Sequence, residues 1–165
     1  MTNNDVLRRL RYALNLPDGL TLKIFALGGK EVSESELERW LKKEEDPGYA
    51  ACRDETLGAF LDGFITLRRG PRPGSSATEP PGNLASAPER LTNNLILKKL
   101  RIALAWQEEE VLGALASGGL EVSKNELSAL FRKPGQKNYK PCGDQLLRAF
   151  LTGMTGKTKL TQEEP

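Results

Sequence analysis

The sequence predicts an all-α protein: two homologous four-helix modules, related by pseudo-two-fold symmetry and joined by a flexible proline-rich linker. Three observations carry this reading. Displaced by 90 residues, the chain matches itself without a gap, with 26 identities over the 66 positions from Thr2 to Leu67. Within each copy, apolar residues recur at the three- and four-residue spacing of a helix, and no run alternates with the period of a strand. Between the copies, Pro71, Pro73, Pro80, Pro81 and Pro88 are spaced by Gly, Ser and Ala, a composition that neither extends a helix nor supplies a core. The expected boundaries are 1–69 for the first module, 70–91 for the linker, 92–157 for the second module and 158–165 for a loose tail.

The first helix of each copy is expected to start at an asparagine cap, Asn3 or Asn4 in the first copy and Asn94 in the second, whose side chain accepts a free backbone N–H. Val6, Leu7, Leu10, Ala13 and Leu14 then form one apolar stripe. The second helix spans roughly Leu20 to Leu27 and stops at Gly28-Gly29, a pair repeated as Gly118-Gly119. Ser33 with Glu36, and Ser123 with Glu126, have the spacing of a capping box at the start of the third helix. Leu37, Trp40 and Leu41 follow as its buried face, matched by Leu127, Leu130 and Phe131, and a loop with Pro47-Gly48 or Pro134-Gly135 ends it. The fourth helix begins near Asp54 and buries Leu57, Phe60, Leu61 and Phe64; Leu147, Phe150, Leu151 and Met154 repeat the pattern. Modules of this size bury only about 60% of their unfolded surface. The two copies are therefore expected to pack on each other and share apolar surface, within one chain or by swapping.

Composition excludes several function classes. With no histidine, serine–histidine and cysteine–histidine catalysis are not available. Two cysteines are too few for a disulfide framework or a four-thiolate zinc site, and no cofactor is expected. A net charge of +2 sets up no strong field towards nucleic acid or an anionic surface. No apolar run approaches the ~20 residues that span a bilayer, and Met-Thr-Asn-Asn-Asp does not open like a signal peptide. The expected compartment is the cytoplasm, with no membrane partner.

The pattern T-N-N-x-x-L-x-x-L-R-x-A-L, the later Y-x-x-C-x-D-x-x-L-x-A-F-L-x-G, and the recurrence of both resemble the YehS-like bacterial family, small proteins built from two copies of a domain of unknown function. The resemblance covers both modules. It implies helical structure and a bacterial cytoplasmic location. It implies no activity, so no catalytic residue is carried over.

Each polar residue retained in both copies has a structural and a functional reading. Cys52 and Cys142 are redox or metal-binding thiols, or small buried side chains at the start of the fourth helix; the second is expected. Asp54 and Asp144 are acids for catalysis, or complements to a helix dipole, worth ~0.3–1 kcal/mol; again the second is expected. Glu31 and Glu121 follow no local rule. Tyr49 and Tyr139 are expected to pack their rings on the bundle and find a hydroxyl partner.

Arg8, Arg11, Lys98 and Arg101 on the first helix of each copy, with Lys124, Arg132 and Lys133, form the candidate anion or partner surface. The second copy with its tail, Thr92–Pro165, at 11 basic and 8 acidic residues, is the more positive; the first, Thr2–Arg69, has 11 and 12. No nucleophile, base and oxyanion donors assemble, so a non-enzymatic helical interaction protein, binding protein or self-associating, is the leading expectation. The alternative is DNA or RNA binding through the second and third helices of each copy, laid out like a helix-turn-helix around a glycine turn. Glu34, Glu36 and Glu38 oppose it in the first copy.

Overall fold

A computed structural model describes residues 1–70, 91–133 and 135–155. The proline-rich segment 71–90, Pro134 and the tail after 155 lie outside the described residues. Within them the chain forms helices and no strand. The first half contains α1 (Asn3–Leu14), α2 (Asp18–Leu27), α3 (Glu34–Leu41) and α4 (Asp54–Arg69). The second contains α5 (Asn93–Leu104), α6 (Glu108–Ser117), α7 (Lys124–Leu130) and α8 (Asp144–Met154).

The caps of α1 and α5 correct one expectation. Thr2 and Thr92, not the asparagines, precede these helices, and their hydroxyls accept the amides of Asp5 and Leu95. Asn4 and Asn94 are the second residues of their helices and are buried, because their amides are needed elsewhere. Helix α2 starts at Asp18, two residues before the expected start. The capping box of α3 is complete, with Ser33 and Glu36 bonded reciprocally. In α7 only half of it forms: Ser123 accepts the Glu126 amide, while the Glu126 carboxylate turns to Lys140 Nζ at 3.1 Å. Leu41 and Phe131 are half-buried rather than buried.

Each half is held by one close helix crossing. A Cβ on Gly63 would lie 1.7 Å from the Ile24 carbonyl oxygen, and one on Gly28 would lie 1.8 Å from that of Ala59. Gly118 and Gly153 repeat this at α6 and α8, with 1.9 Å and 1.6 Å to the oxygens of Ala149 and Ala114. Only glycine lets these backbones approach so closely, which explains why both pairs recur. Packing above the crossing is rearranged. The first half stacks Phe25 on Trp40 and Phe60, with ring centroids 5.6 and 5.3 Å apart. The second has leucines at the equivalents of Phe25 and Trp40 and sets Trp106 edge-on to Phe150 at 5.8 Å.

Among the described residues the halves meet chiefly through two helix pairs made by the same helices of the repeat. Helix α4 packs along α5, and α8 packs along α1. The buried apolar residues of both halves join in a single cluster. That shared core answers the size problem, since neither half has to enclose its apolar surface alone.

Candidate functional site

The polar motif retained in both copies is a hydrogen-bond clasp. Asn4 donates through Nδ2 to the carbonyls of Trp40 and Ala50, both at 2.9 Å, and accepts through Oδ1 from the Cys52 amide at 2.9 Å. The Tyr49 hydroxyl donates to the same Oδ1 at 3.2 Å. Asn94 repeats the first three bonds with Leu130, Lys140 and Cys142. Asn3 and Asn93 donate to the carbonyls of Cys52 and Cys142, and to the carboxylates of Asp54 and Asp144 at 2.7 and 2.8 Å. Two adjacent amides thus fix the irregular chain between α3 and α4, and between α7 and α8, against the first helix. An irregular segment this close to a core needs such partners, because its peptide groups cannot all reach water.

The clasp accounts for the retained acids and thiols. Asp54 and Asp144 are the first residues of α4 and α8, where a negative charge meets the positive helix end. Each also reaches across to the other half: Asp54 Oδ2 accepts the Leu91 amide at 3.2 Å, and Asp144 Oδ2 lies 2.5 Å from the Met1 ammonium. Cys52 and Cys142 are free and buried. Burial, then the charge of the nearby aspartate, pushes their thiols up to about 12 and about 11. Both therefore stay protonated and poorly nucleophilic near neutral pH. Burial, with the carboxylates of Glu44 and Asp5, also raises the Tyr49 phenol. Tyr139 is half-buried and makes no equivalent bond among the described residues.

The basic residues do not form one surface. Arg11 and Arg101 turn inward: Arg11 binds the Leu16 carbonyl and Asp18, and Arg101 Nε donates to the Trp106 carbonyl, its guanidinium 4.6 Å above the Phe131 ring. They brace the turn after the first helix, a correction to their expected place in the anion or partner surface. Lys98, Lys124, Arg132 and Lys133 are exposed on α5, on the first residue of α7 and after its end. Glu31 and Glu121 are exposed in the turns before α3 and α7.

Arg8 alone of the seven basic candidates lines a cleft, of about 600 Å³, between the halves. One wall is the outward stripe of α1, Asp5, Arg8, Arg9 and Tyr12, at helical spacing opposite the apolar stripe. Lys43, Glu44 and Glu45, just past α3, form a second wall, and Leu151, Thr152 and Thr155 at the end of α8 form the third. Arg8 is paired with Asp5, whose carboxyl is held below its usual range by the Thr2 backbone and Arg8 in spite of partial burial. Arg9, Lys43, Glu44 and Glu45 are exposed, and among the described residues none of these four side chains has a hydrogen-bond or ion-pair partner. Tyr12 is 79% exposed. Sequence reasoning missed this cleft. The stripe on α1 is visible as a polar face, but the wall from α8 appears only when the halves are placed together.

These features define a class: an all-helical protein of two like halves around a shared core, each half clasped by an Asn-Asn pair. The chain belongs to the DUF1456 family, described as proteins of unknown function, whose model matches residues 3–70 and 93–159. It is 38% identical over 157 residues to the uncharacterized protein YehS of Escherichia coli (strain K12), with 95% of this chain and 96% of that protein covered. The resemblance seen in the motifs is thus a family membership. No solved structure matches the chain. Among the described residues no helix is long and apolar enough to cross a membrane, and no three His, Cys, Asp or Glu side chains group as a metal site would require.

Proposed function

We propose that this protein is a non-enzymatic interaction module, its halves related by a pseudo-two-fold axis, and that it receives a protein partner in the cleft between α1 and α8. The observation that carries the reading is where the retained polar residues are spent. Asn3, Asn4, Asp54 and the cysteine backbone, with their second-half equivalents, bond to one another and to backbone. Groups that hold the fold in this way are not free to act on a substrate. The cleft, by contrast, presents unpaired charges and an exposed aromatic ring, the mixture that recognises protein surfaces.

A photo-crosslinking residue at Tyr12, compared with one at Lys124, tests this in a bacterial lysate. One defined protein captured from Tyr12 and not from Lys124 is the expected result. Capture of the same mixture at both sites, or of nothing, would overturn it. The nucleic-acid alternative leans on the exposed Lys124, Arg132 and Lys133 of the more positive second half. Titration with duplex DNA over a salt series decides it, since phosphate contacts weaken steeply with salt.

A further inference from the structure

We propose that the cleft takes a peptide segment bearing a single carboxylate, and that Arg9 and Thr152 receive this carboxylate. The proposal rests on the reading of the cleft as a binding site and adds the chemistry of its occupant. The molecule itself supplies the comparison. In the 90-residue register Arg9 corresponds to Lys99, and Thr152 to Asp62. At the α4–α5 contact these equivalents form a buried ion pair, Lys99 Nζ to Asp62 Oδ1 at 2.5 Å, with side chains 5% and 1% exposed. At the α8–α1 contact the cation is kept as Arg9, while the carboxylate has become the hydroxyl of Thr152, and both line the open cleft. A cation, a hydroxyl donor and a space where the other half has a carboxylate together specify an incoming carboxylate. Arginine suits the task better than lysine, because its planar fork can hold both oxygens.

The other walls narrow the ligand. Arg8 is already neutralised by Asp5. Lys43 is free in the same cleft as Arg9, but Glu44 and Glu45 line it too. Two unpaired carboxylates repel a polyanion, so a phosphate backbone or a run of acidic residues fits poorly. An isolated acidic side chain flanked by apolar residues fits well. Its neighbours would lie on the exposed Tyr12 ring at the cleft.

The probe is a capped peptide, Gly-Leu-Glu-Leu-Gly, added to the full-length ¹⁵N-labelled protein. Saturable shifts are expected at the Thr152 amide and the Arg9 Nε. Replacing the glutamate of the peptide by glutamine should weaken binding about tenfold, as should Arg9→Gln in the protein. Arg9 has no partner to lose, so Arg9→Gln should leave the melting temperature and the remaining spectrum unchanged; Arg9→Lys should restore part of the affinity. The proposal is overturned if the cleft signals do not saturate, if the glutamine peptide binds equally well, or if Arg9→Gln has no effect. It is also overturned if duplex DNA shifts the same signals at lower concentration than the peptide. A defined partner captured from Tyr12, with the peptide failing, would leave the interaction reading standing and remove only the carboxylate.

Discussion

The α4–α5 and α8–α1 contacts are made by equivalent helices and finished in different ways. At the first, Lys99 and Asp62 meet out of reach of water, and α4 runs on to Arg69, whose Nη1 donates to the Ile102 carbonyl at 3.1 Å. At the second, Arg9 and Thr152 stand in the corresponding places and α8 ends at Met154. Tyr12, the equivalent of Ile102, is 79% exposed against 38%. The apolar stripe, the Asn-Asn clasp and the glycine crossings are common to both halves, so the fold does not require this polar position to be one thing or the other. One contact was free to be sealed and the other to stay open.

The largest expected effect probes that difference directly. Lys99→Met leaves Asp62 buried without its partner and should cost about 3–5 kcal/mol in denaturant unfolding at neutral pH, whereas Arg9→Met should fall within about 0.5 kcal/mol of the parent. The double variant Asp62→Leu with Lys99→Met should recover most of the loss, because an apolar pair of similar volume avoids the desolvation cost. Burial raises the Asp62 carboxyl more than Lys99 lowers it. In the folded variant, which lacks the lysine, it therefore takes up a proton more readily than in the unfolded chain. The penalty of Lys99→Met should be largest at neutral pH and shrink as the solution is acidified through the folded value. Equal losses for Lys99→Met and Arg9→Met would erase the distinction between the two contacts.

The sequence made the helices legible because each is signalled locally. The stripe from Val6 to Leu14, the Ser33–Glu36 box and the Gly28-Gly29 stop depend on residues a few positions apart. The role of Asn4 was not legible, because a helix start with Thr-Asn-Asn offers three residues able to cap, and only the fold shows that the third is drawn inward. Its recurrence with Tyr-x-x-Cys-x-Asp was the available signal, since a cap alone does not demand a distant partner. Arg11 and Lys99 illustrate a second limit. Arg11 reads as a surface cation yet is bound to a turn, and nothing local to Lys99 signals that it is bound to a helix of the opposite half. The family membership was legible from the same motifs, but the cleft depends on how α8 meets α1, which no local pattern encodes.

Next in size is the clasp, which separates the halves by one bond. Asn4→Ala leaves two carbonyls and one amide near the core without partners and should cost about 3 kcal/mol. Asn94→Ala removes the same three bonds. Asn4 also accepts the Tyr49 hydroxyl, a bond with no counterpart at Tyr139, so its loss should be the larger by about 1 kcal/mol. Tyr49→Phe should cancel most of that excess, and Tyr139→Phe should change little. Chemical denaturation of the four variants gives the answer; a larger loss for Asn94→Ala would show that the clasp is not the same device in both halves.

The smallest effect lies at the exposed edge of the open contact. The Met1 ammonium first, then the Asn93 amide, holds the Asp144 carboxyl below its ordinary value of 3.8. A carboxyl depressed in the folded state contributes stability above its unfolded value and loses it as pH falls through the folded one. Asp144 is half exposed, so solvent screens much of the interaction and the shift in melting temperature should be a few degrees at most. Asp144→Asn should melt below the parent at pH 7, and the two curves should converge as the pH falls below the ordinary aspartate value. A gap that persists undiminished to the acid limit would mean that Asp144 acts by shape at the start of α8 and not by charge across to the other half.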